Sequence, residues 1–296
     1  MKLSILSIFC RERREMLVNF LNSLFLGAGK IPFEIILVNN GREEIKDLER
    51  GFGNLTIVRN EKNVGVAKAR NQAAARSSGE VILFIDSDTI VENRAIEEMY
   101  NYLVGHPQIG AVAPAIFSQE GVLSHNFGPL PSWNYLFYEI FNLAGRVRLT
   151  PKAGLTEFLA GTALMIKRET WEKVGCFDEK FFYGSEDADW SKRAKEKGIK
   201  LSYFPKVKIL HFLHQSSYLT EVRQIDFYVS EVYYFKKHFG IAFAMFLKIF
   251  LIVFSLLRIG ISFLKTGRGK TRRQCWQLIV RLLSNSYGIG KYKTLS

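Results

Sequence analysis

Ile82-Leu83-Phe84-Ile85-Asp86-Ser87-Asp88 is the stretch on which the reading of this chain turns. Four large apolar residues without a polar break read as a strand buried on both faces, as in a parallel sheet covered by helices. The run ends on two carboxylates one residue apart, so the strand delivers hard oxygen ligands to its carboxyl end. Ligands of open α/β sheets bind in the crevice just beyond that end. Two readings of the pair stand side by side. Asp86 and Asp88 can hold Mg²⁺ or Mn²⁺ against a diphosphate, or Asp88 can be the N-cap of a following helix.

Outward from this stretch, residues 3–9, 34–38, 55–58 and 81–85 are short runs rich in Ile, Val, Leu and Phe. Between them, 14–26 and 65–76 carry helical spacing. Alternating strand and helix predict an α/β fold with a mostly parallel central sheet and helices on both faces. Further on, 89–104 reads as a helix, 109–117 as a strand, 168–174 as a short helix and 187–197 as a helix closed by Gly198. Residues 158–166 are strand-like, and 201–210 reads as a strand broken by Pro205. Between them, 118–156 is rich in Gly, Pro and aromatics and suits a substrate-facing loop region with one helix around 134–143. The sheet domain is therefore expected to span residues 1–217, as halves 1–117 and 118–217, with a helical region over 218–296.

That last region decides what the charge means. The 296 residues carry 41 Lys plus Arg against 28 Asp plus Glu, a net charge of +13. Such an excess suits nucleic acid, anionic lipid or phosphorylated substrates. Its late runs, Lys236-Lys237 and Lys270 to Arg273, flank the apolar stretch 241–264, which favours a membrane surface and argues against a nucleic-acid partner. About 24 residues would span a bilayer, but Lys248 and Arg258 interrupt them, and on the rim of an interfacial helix such cations cost little. By about 100° per residue the two lie roughly 80° apart, close enough to share one polar edge. A membrane-associating region is expected, peripheral or with one C-terminal membrane helix. Cys10, Cys176 and Cys275 form no CxxC pair and point to a reducing compartment. The apolar start is read as a first strand rather than a signal peptide, since Arg11, Arg13 and Arg14 follow at once.

Three further places carry chemistry. Glu186-Asp187-Ala188-Asp189 opens a helix after Phe181-Phe182-Tyr183, either as simple capping acids or as a carboxylate able to take a proton from a hydroxyl. His211 ends a strand-like run, as a structural histidine or as a third metal ligand beside Asp86 and Asp88. His214 stands behind the metal-binding group or is a bystander. Gly65 and Gly161 are turn glycines or points of close approach, and Arg70 contacts a diphosphate or pairs internally with Glu80 or another acid. Thr89 comes one position too early for the aspartyl-phosphate motif of haloacid-dehalogenase-like phosphatases.

In this order and spacing, the segments resemble the family 2 glycosyltransferases of the GT-A fold, in particular their rhamnosyltransferase-like members. The likeness covers about residues 3–217. It rests on Ser4-Ile5-Leu6-Ser7, Arg11, Glu34 to Gly41, Asn63 to Asn71, Gly79-Glu80, Asp86-Ser87-Asp88, Gly161-Thr162-Ala163, Gly175 to Asp178, Glu186 to Asp189 and His211. The resemblance implies a single-displacement inverting transfer from a nucleotide-diphosphate sugar. It makes Asp187 the base with Glu186 beside it, Asp88 the main metal ligand, Asp86 nearer the ribose, and His211 the completion of the metal site. By the same likeness Ser7, Arg11, Asn39, Asn63, Gly65, Arg70, Asp86, Ser87, Gly161 and Thr162 line the donor. Asn39 stands where the family commonly has an aspartate, Cys10 where asparagine is usual and Trp190 where leucine is. Rhamnose from a thymidine-diphosphate donor, a glycan or lipid-linked acceptor, cell-surface polysaccharide synthesis and the cytoplasmic face of the cell membrane follow from the likeness. The alternative is a non-catalytic sugar-nucleotide-binding membrane protein, which would need a lost base or a lost metal, whereas none of the acids is missing. A nucleotidyltransferase would need a glycine-rich loop where Phe9-Cys10-Arg11-Glu12-Arg13 has none.

Overall fold

The computed structural model describes residues 1–10, 13–41, 43–124, 126–132, 153–212, 217–263 and 269–284. Along the sheet domain run β1 (Leu3–Phe9), α1 (Arg14–Ala28), β2 (Phe33–Asn39), a 3-10 turn (Lys46–Arg50), β3 (Leu55–Arg59) and α2 (Val66–Ala74). There follow β4 (Val81–Ile85), β5 (Thr89–Val91), α3 (Ala95–Gly105), β6 (Ile109–Phe117), β7 (Phe127–Gly128), β8 (Gly154–Thr156) and β9 (Phe158–Leu159). The chain continues through β10 (Ala163–Lys167), α4 (Arg168–Val174), α5 (Glu186–Glu196), β11 (Lys200–His211), α6 (Ser217–Phe239), α7 (Ile241–Phe263) and α8 (Gly269–Leu283). Its contacts define two compact units. One comprises Met1–Val64, Ala69–Phe177 and Asp187–Leu213, the other Gly65–Lys68, Asp178–Glu186 and His214–Ser296.

In the first unit the sheet runs β3-β2-β1-β4-β10-β6-β11-β5, with β8 also on β11, and β7 and β9 form a separate ribbon. The four strands from β3 to β4 are parallel, as are β6 and β11. β10 lies antiparallel between β4 and β6. All five residues of β4 are buried, and successive side chains of a strand point to opposite faces. Leu83 accordingly joins a core with Leu17 and Phe20 of α1 and Met99 of α3. Phe84 meets Trp171 of α4 at 5.1 Å and Phe177 at 5.2 Å. Helices thus cover both faces, and each such side chain withdrawn from water is worth about 1.5–3 kcal/mol. Trp190 extends the second core: it is fully buried, stacks on Trp171 and donates to the Gly175 carbonyl.

Three expectations change. Residues 89–91 are a strand, and helix α3 begins only at Ala95, after Arg94 at φ 58°, so Asp88 caps no helix. Pro205 does not end β11 but falls where its pairing with β6 shifts between Phe204 and Lys208, as a residue without an N–H must. The strand-like 158–166 divides into β9 and β10 around Ala160-Gly161-Thr162. The helix expected around 134–143 and the residues Arg11 and His214 lie outside the described residues.

Within the second unit α6, α7 and α8 pack on one another. α7 has 23 residues and a mean hydropathy of 2.2 in its most apolar window, of which 28% is buried. By length and composition it is the one helix among the described residues that could cross a membrane. Ala244, Leu247, Leu251, Ser255 and Ser262 form its buried stripe. The opposite face exposes Met245, Phe246, Ile249, Val253, Leu256 and Leu257. The basic run Lys270 to Arg273 proves to be the first turn of α8, whose Cys275, Leu278, Ile279 and Leu282 are buried.

Candidate active site

Where β4 ends, the chain turns tightly, with Thr89 Oγ1 donating to the Asp86 carbonyl, and re-enters the sheet as β5. Antiparallel pairing of β5 with β11 sets His211 opposite Thr89, and the Phe212 amide donates to the Asp88 carbonyl at 2.8 Å. This register carries His211 to Asp88 across 123 positions of sequence, and His211 Nε2 lies 3.0 Å from Asp88 Oδ1. One ligand atom each from Asp86, Asp88 and His211 lies within 4.8 Å of the others. Two carboxylate oxygens and an imidazole suit a small divalent cation of the Mn²⁺ or Mg²⁺ kind.

Asp86 is tied in from its other side. Arg70, from α2 and only 6% exposed, donates from Nη2 to Asp86 Oδ1 at 3.0 Å and to the Gly161 carbonyl at 2.9 Å. The carboxyl of Asp86 is pushed above the usual range. Loss of water around it is the largest cause and Asp88 adds repulsion, which together outweigh the attraction of Arg70 and His211. Arg70 therefore pairs with an acid, but with Asp86 rather than Glu80.

Gly161 passes the connection on. Its amide donates at 2.8 Å to Asp187 Oδ2, while Asp187 Oδ1 accepts from the Ala188 amide. The next residue, Thr162, takes the Asp86 amide on its carbonyl at 3.0 Å. A continuous line of hydrogen bonds, Asp86 to Arg70 to Gly161 to Asp187, therefore joins the acidic pair to the acid that opens α5. Asp187 is half-buried in the first turn of α5, and Glu186 beside it is buried. The third acid of the run, Asp189, is fully buried and bonded to Arg193, which reaches the carbonyls of Val174, Gly175 and Cys176. That acid serves the fold.

Other expected positions are engaged locally. Ser87 Oγ donates to the Ile8 carbonyl and fixes the turn from below. Both ends of the Asn39 amide bond its own loop, through the Glu43 carbonyl and the Gly41 amide. It is Asn40, which sequence reasoning passed over, that reaches outward: its side chain joins Asn60, Asn63 and the Val64 amide. The Asn39-Asn40 doublet was the available signal. Asn63 also donates to Cys10 Sγ. Ser7 is buried in β1, and its Oγ has no partner among the described residues. Gly65 answers its question within the second unit: at φ 88° a Cβ would stand 2.8 Å from the Phe182 ring and 2.9 Å from its carbonyl.

Gly161 is needed for close approach as well. A Cβ there would stand 2.1 Å from Arg70 Nη1 and 2.7 Å from its Cζ. Arg70 Nη2 is held by both Asp86 and the Gly161 carbonyl, and the guanidinium cannot retreat without releasing Asp86. Gly161→Ala is expected to destabilise the protein by about 1–3 kcal/mol and to lower its melting temperature by roughly 2–10 °C. An unchanged thermal unfolding curve would show that Arg70 moves aside freely.

Comparison with known proteins follows the same lines. Residues 4–175 match the family model described as Glycosyl transferase family 2, and residues 148–215 one described as the N-terminal domain of galactosyltransferase. The chain is 23% identical to the O-antigen biosynthesis protein RfbC of Myxococcus xanthus over 79% of its own length, and spans 19% of that protein. It is 24% identical to the N-acetylglucosaminyl-diphospho-decaprenol L-rhamnosyltransferase of Mycobacterium tuberculosis, over 66% of this chain and 71% of that one. In fold it is similar to the mannosyltransferase PcManGT of Pyrobaculum calidifontis, solved with GDP-Man and Mn²⁺. The TM-score is 0.55 at 16% identity, covering 96% of this chain and 86% of the other.

Proposed function

Since this chain belongs to glycosyltransferase family 2, whose model covers residues 4–175 of its 296, we propose that it is an inverting, metal-dependent sugar transferase. The observation that carries the reading is the hydrogen-bonded line from Asp86 through Arg70 and Gly161 to Asp187, with Asp88 and His211 at its near end. Asp187 Oδ2 is aimed by the Gly161 amide, and the carboxylate takes the proton of an acceptor hydroxyl as that oxygen bonds to the anomeric carbon. The bond from that carbon to the diphosphate oxygen breaks on the opposite side. Asp88, Asp86 and His211 would hold a Mn²⁺ or Mg²⁺ ion, which when bound supplies positive charge for the departing diphosphate. Arg70 keeps Asp86 in place between that end and Gly161.

The donor is proposed to be a nucleotide-diphosphate sugar, with rhamnose favoured by the rhamnosyltransferase among the relatives. The test is isothermal titration of the full chain with UDP, dTDP and GDP, each with Mn²⁺ and again with EDTA. Metal-dependent binding of one diphosphate is expected. No binding of any of them in Mn²⁺ would sink the reading.

The acceptor is proposed to be a glycan on a lipid, with residues 218–296 as a region that meets the cytoplasmic face of the cell membrane. What supports this is the distribution of charge on α7. By about 100° per residue, Lys248 and Arg258 fall within roughly 50° of the centre of its buried stripe, away from the exposed apolar face. A helix lying in the interface buries such a face and keeps cations at its rim, and α8 adds Trp276, Val280 and Leu283 as exposed apolar groups beside Arg272 and Arg273. The full chain is expected to co-sediment with vesicles containing phosphatidylglycerol and only weakly with phosphatidylcholine alone. Leu257→Glu, on the exposed face, should weaken binding about tenfold or more. Equal sedimentation of that variant would remove α7 from the membrane contact.

A further inference from the structure

We propose that Glu231 is a positioning residue for the reacting carboxylate: it holds Ser185 in the left-handed conformation from which α5 starts, and so sets Asp187 two residues on. The inference rests on the reading of Asp187 as the base. Within the second unit, the segment that leads into α5 is attached along one side of α6. Tyr233 Oη and Lys237 Nζ both donate to Asp178 Oδ2, at 2.9 and 2.8 Å. Phe181 meets the Tyr233 ring at 4.9 Å, and Ser230 Oγ donates to the Tyr183 carbonyl at 2.9 Å. Phe227 lies under Gly184, where a Cβ would stand 2.6 Å from its ring. The last attachment is Ser185 Oγ, donating to Glu231 Oε1 at 2.6 Å, with both residues buried.

Ser185 is the unusual member of this series. Gly184 and Ser185 take successive positive φ angles, 80° and 66°, immediately before Glu186 begins the helix. Glycine adopts such a φ freely, whereas a residue with a Cβ resists it and keeps it only where its surroundings impose it. Apart from Arg94, Ser185 is the only non-glycine residue among the described ones with positive φ. Its hydroxyl is what Glu231 grips. If the bond is lost, Ser185 can relax toward negative φ, and the peptide planes that aim the first turn of α5 rotate with it. A base misplaced by about 1 Å loses on the order of a hundredfold in rate while the donor still binds.

The experiment compares Ser185→Ala, Ser185→Gly, Glu231→Ala and the pair Ser185→Gly with Glu231→Ala in the full chain. Asp187→Asn runs beside them. Release of nucleoside diphosphate from dTDP-rhamnose, UDP-glucose and GDP-mannose with Mn²⁺ gives kcat, and titration with the free diphosphates gives affinity. Ser185→Ala and Glu231→Ala should lower kcat about 10–100-fold with diphosphate affinity kept. Ser185→Gly should stay near wild type and should restore kcat in the Glu231→Ala background, because glycine takes the positive φ unaided. A purely structural role for Glu231 would not produce that rescue. Equal kcat in Ser185→Ala and Ser185→Gly overturns the proposal even where Glu231→Ala fails to fold. So does a Glu231→Ala loss that glycine does not repair. If Asp187→Asn keeps wild-type turnover, the assignment of the base falls, and this inference with it. If only Asp187→Asn is impaired, the base stands and Glu231 is excluded.

Discussion

Asp187→Asn is expected to lower sugar transfer by about 10²–10⁴-fold, the range that a positioned general base contributes, while leaving metal-dependent diphosphate affinity within about twofold. The substitution is nearly isosteric, and the Asn Oδ1 can still accept from the Gly161 amide that holds Asp187 Oδ2 now. What it removes is the capacity to take a proton, together with the bond that Oδ1 accepts from the Ala188 amide. Neither Arg70 nor Asp86 touches the Asp187 carboxylate directly, since Gly161 stands between them as peptide backbone. The near end of the line should therefore keep its geometry. Losing the charge at the start of α5 costs only about 0.3–1 kcal/mol of helix stabilisation, too little to unfold the domain. Turnover of a radiolabelled donor over a membrane lipid extract, read beside titration with the free diphosphate, separates the two effects. Wild-type turnover in the variant would take Asp187 out of the base role, and a parallel loss of diphosphate affinity would make it a binding group instead.

How much of this could be read from the chain depends on how local each cause is. β1, β4 and β6 match the strands expected at 3–9, 81–85 and 109–117, and α4 the helix at 168–174. Each is a run whose own side chains demand burial between polar or glycine punctuation. Thr89–Val91 was hidden because its strand character comes from β11, more than a hundred residues later, whereas its sequence continues smoothly into the helical spacing of α3. That same pairing decides against Asp88 as a helix cap and brings His211 to it. Arg70 shows the limit in another form. A buried arginine near acids was foreseeable, but its partners lie 16 and 91 positions away, and only the fold selects Asp86 over Glu80. Gly65 and Gly161 looked alike in sequence. One is crowded by Phe182 and the other by the Arg70 guanidinium, a difference that no local pattern encodes.

Asp88→Ala should remove the metal dependence of diphosphate binding. Of the two strand-end carboxylates, Asp86 is already engaged by Arg70, whose guanidinium offsets its charge, and burial further disfavours its ionised form. Asp88 has instead the His211 ring as its partner, itself a donor of the kind transition metals prefer. Removing Asp88 leaves one carboxylate, tied to an arginine, and one imidazole to hold the ion. Affinity for the preferred diphosphate in Mn²⁺ is expected to fall about 100-fold or more, and His211→Ala to cost about 10–100-fold, with Mg²⁺ suffering less than Mn²⁺ from loss of the nitrogen ligand. In EDTA the titration curves of wild type and both variants should superpose, because neither side chain would then act on the diphosphate. A variant weakened equally in EDTA would point to a direct contact or to damage in the β4–β5 turn. One that kept full Mn²⁺-dependent affinity would reduce the Asp88–His211 pair to a structural contact between β11 and the sheet edge.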